Sequence, residues 1–532
     1  MKIRIRFLAI TLALLSILVP ACSAPGNQPR TASPDQKYLV VFVVDACRPD
    51  YLPFSDIPNI KKLAGEGTSY TNAWVGSLRS ITPNVHTTLS TGAFPSRHDV
   101  LCFIWKNPET GLAYWYTQWD DIQLGEFNDN IKATGVTSIG TLYKEKYPGS
   151  RVAAISSGKF YAAAAMGADG ADYILFNDSA TVASPDSTSA DKFVVSGVQG
   201  HLAPPDIMTD PELTRDKSSE LDEDIWATDL ALKLLEKVRP EVLMINLPEV
   251  DETGHWCMAI NDPEIMGKVV SNADMQIGRV MEAYKKAGIY DRTIFVVTSD
   301  HGMTPTMHTI PQPPMYQLVK KAGTKIQALS PEFYIYDPSK AADAAENIAS
   351  AGIPGIKGAY YKSKQPDGSY AYVPTPTTEK LITGDLDKCF RYLSSTYASD
   401  ISYDIILPQA ENWRYVIPLW SGKAQPSSHE TITWNNQHVP LIISGPGVRK
   451  GLSLDSPARI VDIAPTVLTV MGITPRNMDG VVLADCVEKA TIQQVEAQNA
   501  VMQYLKPLAA ALKAATESDL AENARQSGKP EK

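Results

Sequence analysis

Three segments of the chain place carboxylate side chains next to histidines. Asp251 and His255 are four residues apart, Asp300 and His301 are adjacent, and His429 is followed by an acidic residue. The chain has only eight histidines, so this placement is informative. Carboxylates combined with imidazoles are ligands that suit Zn²⁺ or Mn²⁺. Each pair alone is also compatible with a turn aspartate or a hydrogen-bonded core histidine, and only their combination favours a metal site.

A candidate nucleophile lies in residues 80–92. Thr82 precedes Pro83, and the residues that follow predict a short apolar helix. A hydroxyl at a helix start lies near free backbone N–H groups and the positive end of the helix dipole, which both favour a negatively charged oxygen. A hydroxyl residue before proline is also ordinary capping chemistry. The nucleophile hypothesis therefore depends on the candidate ligands elsewhere in the chain.

Buried strands are predicted to bring these residues together. The continuous apolar and β-branched segment Tyr38–Val44 predicts a strand buried on both faces, and it ends at Asp45. Further strands are predicted at residues 151–156, 241–247, 292–298 and 439–443, and helices at residues 58–66, 224–237, 263–287 and 461–471. This alternation predicts an α/β fold with a mostly parallel central sheet and helices on both faces. Ligands of such sheets bind beyond the carboxyl ends of the strands, so Asp45, Asp251 and Asp300 are expected to share one edge.

The pattern of elements changes twice along the chain. Residues 177–223 are polar and rich in Ser, Asp and Pro, which predicts a long surface excursion. From residue 303 to residue 427 strands and helices alternate differently, which predicts an inserted α+β cap. The predicted organisation is a signal peptide (1–22), a linker (23–36), a discontinuous catalytic α/β core (37–302 and 428–516), the cap (303–427) and a polar tail (517–532).

The N-terminus indicates export. Three basic residues within the first six positions precede a mostly apolar stretch, residues 7–20, which is too short for a comfortable membrane span. Residues 19–22 resemble a bacterial lipoprotein cleavage box, so we expect a periplasmic or cell-envelope protein that contacts the membrane only through a lipid on Cys22. Plain secretion, with cleavage near Ala21 or Ala24, is the alternative.

Composition narrows the class of partner. The 532 residues are 44% hydrophobic and 20% charged, with a net charge of −10. This net negative charge argues against binding to a nucleic-acid duplex, which requires a clustered basic face. It is compatible with a small anionic substrate that is held by metal ions. The five cysteines other than Cys22 are too sparse for a disulfide scaffold and have no CxxC spacing. Disulfide pairing and oligomeric state stay open.

The order of the motifs resembles the alkaline phosphatase superfamily, and within it the type I phosphodiesterase/nucleotide pyrophosphatase branch and its bacterial alkaline phosphatase relatives. The resemblance covers residues 38–103, 241–303 and 428–483. The matching motifs are, in chain order, the strand that ends in Asp45, the stretch from Thr82 to Gly92, Asp251-x-x-Gly-His255, Asp300-His301-Gly302, and His429 followed nine residues later by His438-Val-Pro.

This resemblance implies a hydrolase of phosphate esters with two divalent metal ions, Zn²⁺ before Mn²⁺. One ion would be held by Asp251, His255 and His429, and the other by Asp45, Asp300, His301 and the oxygen of Thr82. Two cations roughly 4 Å apart lower the pKa of a hydroxyl and stabilise the attacking and leaving oxygens. Thr82 would attack phosphorus and form a phosphothreonine that water then hydrolyses. His438 is expected to orient the ligands through hydrogen bonds.

Two positions depart from the family pattern. The asparagine that donates to a phosphate oxygen in related enzymes corresponds here to Phe103. Lys159 corresponds loosely to a phosphate-binding lysine of bacterial monoesterases, without its arginine companion, and is also compatible with a solvated loop lysine. Both are candidate substrate-binding residues. The aromatic residues that follow, Trp105, Tyr114, Trp115, Tyr116 and Trp119, either wall a pocket for a nucleobase or aryl group or form a packing cluster.

The sequence thus predicts a small phosphate-ester or nucleotide substrate and a phosphodiesterase or nucleotide pyrophosphatase activity. The alternatives, in decreasing order, are an alkaline phosphatase-type phosphomonoesterase, an envelope phosphoryl-group transferase and a non-catalytic surface lipoprotein. Sulfatase activity is less expected, because Thr82, Pro83 and Asn84 replace the cysteine or serine and the arginine that such an enzyme requires.

Overall fold

The structure is a computed structural model, and it describes residues 35–117, 125–177, 193–196, 222–330, 332–415 and 425–526. The predicted signal peptide, the linker as far as residue 34 and residues 527–532 of the predicted tail lie outside the described residues. The same is true of most of the predicted excursion over residues 177–223, and of Trp119.

Strands and helices alternate through most of the described chain. The strands are β1 (Tyr38–Val44), β2 (Gly67–Tyr70), β3 (Ile104–Lys106), β4 (Ala113–Trp115), β5 (Val152–Ser156), β6 (Tyr173–Asn177), β7 (Phe193–Ser196), β8 (Val242–Leu247), β9 (Thr293–Thr298), β10 (Thr304–Pro305), β11 (His308–Ile310), β12 (Ile326–Ser330), β13 (Glu332–Ile335), β14 (Tyr360–Lys364), β15 (Tyr370–Pro374), β16 (Ile405–Ile406), β17 (Trp413–Tyr415), β18 (Ser427–Ser428), β19 (Leu441–Ser444) and β20 (Leu452–Leu454). The helices are α1 (Pro58–Glu66), α2 (Thr82–Thr91), α3 (Pro95–His98), α4 (Glu126–Ala133), α5 (Ile139–Lys146), α6 (Phe160–Gly167), α7 (Asp222–Lys237), α8 (Glu249–Trp256), α9 (Pro263–Lys286), α10 (Gln312–Lys321), α11 (Ala341–Ser350), α12 (Pro376–Leu381), α13 (Gly384–Ser395), α14 (Trp434–Gln437), α15 (Ile463–Val470) and α16 (Ile492–Gln526).

The central sheet has the strand order β20-β2-β19-β9-β1-β8-β5-β6-β7. Strands β9, β1, β8, β5 and β6 are parallel to one another. The predicted mostly parallel sheet is therefore confirmed. The strand predicted at residues 439–443 is observed as β19, which runs antiparallel to β9 and β2.

Side chains from both faces of β1 pack into hydrophobic cores. Val41 and Val43 belong to a core that includes residues of α2, α6 and α15. Val40 and Phe42 belong to a core on the other face, which includes residues of α1, α7 and α9. Full burial of one such side chain contributes about 1.5–3 kcal/mol. Burial on both faces explains why β1 is apolar at every position.

Strand register brings the functional residues to one edge of the sheet. Val44 at the end of β1 pairs with Leu247 at the end of β8, and Val43 pairs with Thr298 at the end of β9. The chain segments that follow these three neighbouring strands therefore leave the sheet side by side. They carry Asp45, α8 and Asp300 respectively.

A second, antiparallel sheet has the strand order β12-β13-β16-β14-β15. It packs with α10 and α11 around its own hydrophobic core, which includes Met315, Phe333 and Ile348. All five strands fall within the segment predicted as a cap, although the limits of that cap stay a prediction.

The C-terminal helix α16 includes part of the segment that was predicted to be a polar tail. Residues 517–526, which were predicted to be part of a polar tail, are helical. Their polar side chains bind groups of residues 303–427, which we call the second-sheet region. Lys357 Nζ donates to Asp519 Oδ1 at 2.7 Å, and Trp413 Nε1 donates to Asn523 Oδ1 at 3.3 Å. These contacts explain why a polar sequence is ordered here.

The five cysteines other than Cys22 are all buried and are free thiols. In the part of the chain that the structure describes, no helix combines the length and the apolar character needed to cross a membrane.

His98 is a buried histidine whose surroundings require a neutral ring. Its Nδ1 accepts a hydrogen bond from the Val100 N–H at 3.1 Å, and its Nε2 lies 3.0 Å from Thr88 Oγ1. Burial lowers the pKa of His98 to about 3, whereas the pKa in an unfolded chain is about 6.5. The resulting stabilisation is complete above pH 6.5 and is lost as the pH falls towards 3.

We therefore expect His98 to lower the free energy of unfolding by about 2 kcal/mol between pH 6.5 and pH 5. The variant His98→Asn should lack this part of the pH dependence. Urea unfolding of both proteins at several pH values in this range measures the difference. Equal pH dependence in the two proteins would contradict the assignment of a neutral, buried His98.

Candidate active site

Thr82 is the first residue of α2, and its neighbours explain why the helix begins there. Ile81 has an extended backbone, and Pro83 in the first turn has no N–H that could be left unpaired. The helix ends at Gly92, which adopts a left-handed conformation with φ 63°. The Thr82 side chain is 3% exposed, and its Oγ1 lies 3.4 Å from His301 Nε2. The predicted nucleophile therefore faces a predicted metal ligand.

The six predicted protein ligands form two groups at the edge of the central sheet. Within each group, one ligand atom from every residue lies within 4.8 Å of the others. One group consists of Asp45, Asp300 and His301, and the other of Asp251, His255 and His429. Asp251 and His255 are one helical turn apart on α8, so both side chains project from one face of that helix.

Backbone carbonyls orient the three histidines of these groups. The Nδ1 atom lies 3.1 Å from a carbonyl oxygen in each: Ser427 for His255, Gly302 for His301 and Ser80 for His429. A ring whose Nδ1–H donates to a carbonyl presents Nε2 as a free acceptor. The Nε2 atoms of His301 and His429 lie 3.2 Å and 3.6 Å from the carboxylates of Asp300 and Asp251. All three imidazoles are thus set to bind a cation through Nε2.

Buried carboxylate oxygens indicate where cations would bind. Among the described residues, Asp45 Oδ1, Asp251 Oδ1 and Asp300 Oδ2 are buried without a hydrogen-bond donor. A buried carboxylate oxygen without a partner is costly, and a divalent cation would offset this cost. Three carboxylates and three imidazoles form a donor set that Zn²⁺ or Mn²⁺ accepts. The residues present therefore fit metal ions.

Lys159 bridges the two groups. Its Nζ lies 2.9 Å from Asp45 Oδ2 and 2.5 Å from Asp251 Oδ2, and the side chain is buried. Lys159 is therefore not a solvated loop residue. Burial would raise the pKa of Asp251, but the charges of Lys159 and His255 outweigh it and hold that pKa well below its usual range. Burial and the charge of Asp300 raise the pKa of Asp45.

His86 belongs to the site, although no role was predicted for it. His86 lies one helical turn after Thr82. Its Nδ1 is 2.8 Å from the Thr82 carbonyl oxygen, and its Nε2 is 3.0 Å from Asn246 Oδ1. Its Nδ1 is also 3.5 Å from Asp300 Oδ2. Burial lowers the pKa of His86. The spacing of four residues from Thr82 on a predicted helix was the signal that could have identified it.

Phe103 and its neighbours form an aromatic surface. Phe103 packs edge-to-face on Tyr161, with ring centres 4.9 Å apart, and lies 6.1 Å from Trp115, which is 59% exposed. The other aromatic residues of the segment pack on one another: Trp105 lies 5.4 Å from Tyr114 and 5.7 Å from Tyr116. Most of the segment therefore forms a packing cluster. Trp115 stays a candidate for a pocket wall, and Phe103 stays a candidate substrate-binding residue.

His438 lies apart from the two ligand groups. Its Nε2 is 2.9 Å from the Thr71 carbonyl oxygen, and its ring stacks on Trp434 with centres 4.8 Å apart. Neither ligand group includes it. The contacts of His438 give no support to its predicted role in orienting metal ligands, because its ring nitrogen is bound to a backbone carbonyl of another loop.

The fold and this arrangement of ligands define a member of the alkaline phosphatase superfamily. A sequence profile of the type I phosphodiesterase/nucleotide pyrophosphatase family matches residues 39–426, which is well over half of the chain. The chain belongs to this family. Both the superfamily and the branch predicted from the sequence motifs are thus confirmed.

Curated relatives match parts of the chain. A protein of Schizosaccharomyces pombe described as an uncharacterized pyrophosphatase/phosphodiesterase is 24% identical over 283 residues, which cover 51% of this chain and 46% of the relative. Arylsulfatase K of Danio rerio is 37% identical over 62 residues, which cover 12% of each protein. This chain thus spans less than half of the length of these relatives.

Solved structures share the fold. The crystal structure of the alkaline phosphatase PafA has a TM-score of 0.65 and 16% sequence identity, and it covers 86% of this chain and 100% of its own. Murine ectonucleotide pyrophosphatase/phosphodiesterase 5 in complex with AMP has a TM-score of 0.56 and 18% identity, with 85% of this chain and 100% of its own covered. The predicted alkaline phosphatase-like fold is confirmed.

Proposed function

We propose that this protein is a metal-dependent hydrolase of phosphate esters, with Thr82 as the nucleophile and a preference for phosphodiesters or nucleotide pyrophosphates. One observation carries the proposal. The Thr82 hydroxyl lies at the start of a helix, 3.4 Å from His301 Nε2, beside two groups of carboxylates and imidazoles that Lys159 bridges. Membership of the type I phosphodiesterase family supports this class of reaction.

The two ligand groups would hold two divalent ions, Zn²⁺ before Mn²⁺. Asp251, His255 and His429 would bind one ion, and Asp45, Asp300, His301 and the Thr82 oxygen the other. Such ions, when bound, lower the pKa of the nucleophilic hydroxyl and stabilise negative charge on the phosphate.

The chain's own residues position the reacting groups. In the first step, the bond from Thr82 Oγ1 to phosphorus forms while the bond to the leaving oxygen breaks, and the hydroxyl proton is released to solvent. In the second step, a water oxygen binds phosphorus, the bond to Oγ1 breaks and Thr82 regains a proton. The first-turn N–H groups of α2 favour the anionic oxygen. His86 holds the Thr82 carbonyl, and the Lys159 ammonium can donate to a phosphate oxygen.

The aromatic surface supports a preference for diesters. Phe103 offers no hydrogen bond to a phosphate oxygen, and its ring packs on the ring of Tyr161. A phosphate monoester carries one more negative charge than a diester and therefore needs more donors. The exposed Trp115 beside Phe103 provides an apolar contact for a second ester substituent.

Relatives support the choice of substrate class. The Schizosaccharomyces pombe relative is described as a pyrophosphatase/phosphodiesterase, and the murine neighbour was solved with AMP. We propose a small phosphate-ester or nucleotide substrate for this chain on that basis. We also propose export to the periplasm or cell envelope with a lipid on Cys22, from the basic and apolar N-terminal sequence.

Removal of the Thr82 hydroxyl tests the nucleophile. We expect Thr82→Ala to lower kcat for an aryl phosphate diester roughly a thousandfold or more, because alanine has no hydroxyl that could attack phosphorus. Thr82→Ser keeps a hydroxyl and should retain measurable activity. Wild-type activity in Thr82→Ala would contradict the mechanism. Inactivity of the wild type on aryl phosphate diester, monoester and sulfate alike would favour a non-catalytic binding protein.

Substitution of single ligands tests the metal sites. We expect the wild type to hold about two divalent ions per chain, and Asp251→Asn and Asp300→Asn each to hold about one, because each change weakens one of the two groups. Mass spectrometry of purified protein measures the metal content. His438→Ala is the matched control and should retain both ions. Loss of metal in the control, or full metal content in both ligand variants, would argue against the assignment.

An asparagine at position 103 tests the diester preference. We expect Phe103→Asn to raise kcat/KM for an aryl phosphate monoester, relative to the diester, by about tenfold, since one hydrogen bond to a charged group contributes about 1.5–3 kcal/mol. Tyr114→Asn changes an exposed ring of the same hairpin and should leave the ratio unchanged. An unchanged or lower ratio in Phe103→Asn would show that Phe103 does not set the preference.

A further inference from the structure

Four charged side chains form a buried chain that runs from the second sheet to the candidate active site. Arg79 Nε lies 3.1 Å from Glu332 Oε2, and Arg79 Nη2 donates to Glu430 Oε2 at 2.8 Å. Arg414 Nη2 lies 3.9 Å from the same Glu430 oxygen. Arg79 and Glu332 are almost fully buried, and Arg414 is 7% exposed. We call these residues the charge chain.

The charge chain joins parts of the fold that are distant in sequence. Glu332 begins β13 and Arg414 lies in β17, both within the segment predicted as a cap. Arg79 lies three residues before the nucleophile Thr82, and Glu430 directly follows the ligand His429. The two arginines alternate with the two glutamates, so neighbouring charges are opposite throughout.

The charge chain also ends on a metal-ligand candidate. Arg414 Nη1 donates to the backbone carbonyl of His429. On its other side, the His429 ring is held through Nδ1 by the carbonyl oxygen of Ser80, the residue next to Arg79. His429 is therefore fixed at its backbone by one end of the charge chain, and at its ring by the segment that carries Arg79.

The backbone at Glu430 is a second, independent observation. Glu430 has φ +81°, in the left-handed region that residues other than glycine seldom adopt. A strained conformation of this kind persists only where the surrounding contacts determine it. The Glu430 carboxylate contacts Arg79 and Arg414, and Glu430 directly follows His429 in the chain, so contacts that constrain Glu430 are suited to constrain His429 as well.

We propose that Glu430 and Arg414 are positioning residues that fix His429 as a ligand, and that the charge chain thereby makes metal binding at the Asp251–His255–His429 group depend on the docking of the second-sheet region. This inference rests on the proposed metal site. It goes beyond that site because neither Glu430 nor Arg414 belongs to the ligand groups or to the reacting atoms. A purely structural role, in which the four charges only fasten two parts of the fold, is the alternative.

The experiment measures metal affinity separately from activity. Protein with its metal removed is titrated with Co²⁺, the visible absorption spectrum is recorded, and affinity is checked by competition with a chelator. We expect Arg414→Met and Glu430→Gln to weaken one of the two binding events about 10- to 100-fold, as is typical when a group that orients a ligand is removed. The other binding event should be unchanged. With an aryl phosphate diester, kcat should fall while KM stays near the wild-type value.

Two further variants separate positioning from general stability. Arg414→Lys keeps a cation and a donor and should restore part of the affinity that Arg414→Met loses. Lys106→Met removes another buried ion pair, in which Lys106 Nζ of β3 lies 3.3 Å from Asp404 Oδ2 of the second-sheet region. This pair does not involve His429. Both Co²⁺ binding events should be unchanged in Lys106→Met, even if its melting temperature falls.

The outcomes distinguish the inference from the proposed function. If the wild type binds no metal, the proposed metal-dependent function fails. If the wild type binds two ions and both Arg414→Met and Glu430→Gln bind them with wild-type affinity, the function survives and the positioning role is wrong. Equal loss of affinity in Lys106→Met would assign the charge chain a structural role only.

Discussion

Three carboxylates buried side by side are the constraint on which the rest of this structure depends. Asp45, Asp251 and Asp300 emerge near neighbouring parallel strands, where their like charges repel strongly because little water is present to screen them. Lys159, buried between two of them, compensates part of this charge. Histidines held through Nδ1 by backbone carbonyls surround the remaining oxygens. A site built in this way favours the binding of cations.

The same constraint explains how the other parts of the fold are arranged. The strands must be parallel and in register for their ends to meet, and a sheet buried on both faces must be apolar, as β1 is. The second sheet is connected to the site by the charge chain, in which positive and negative side chains alternate from Glu332 to the contact of Arg414 with His429. Buried ion pairs seldom add much stability over apolar packing. Their presence here fits the positioning role that we propose for them at His429.

The family and the fold leave room for differences in substrate. Structures with 16% and 18% identity share this fold, and a fold of this kind hosts different reactions depending on the residues around the site. In this chain Phe103 packs on Tyr161, which follows the buried Lys159 by two residues. The preference for diesters that we propose rests on this apolar pair, because a monoester carries more charge and needs more hydrogen-bond donors.

The sequence alone determined the parts of this protein that depend on local pattern. The α/β fold was predicted from apolar segments such as the one that forms β1. The family and two groups of candidate ligands were predicted from the helix start at Thr82 and from the order of the carboxylate–histidine motifs. These predictions succeed because periodicity and motif spacing are properties of short stretches of sequence. Only the tertiary structure decided the contacts of Lys159, His438 and the charge chain. Lys159 meets Asp45 across 114 residues, and Arg79 meets Glu430 across 351. Such pairings depend on how the sheet and the second-sheet region pack, and no local pattern of residues specifies that packing.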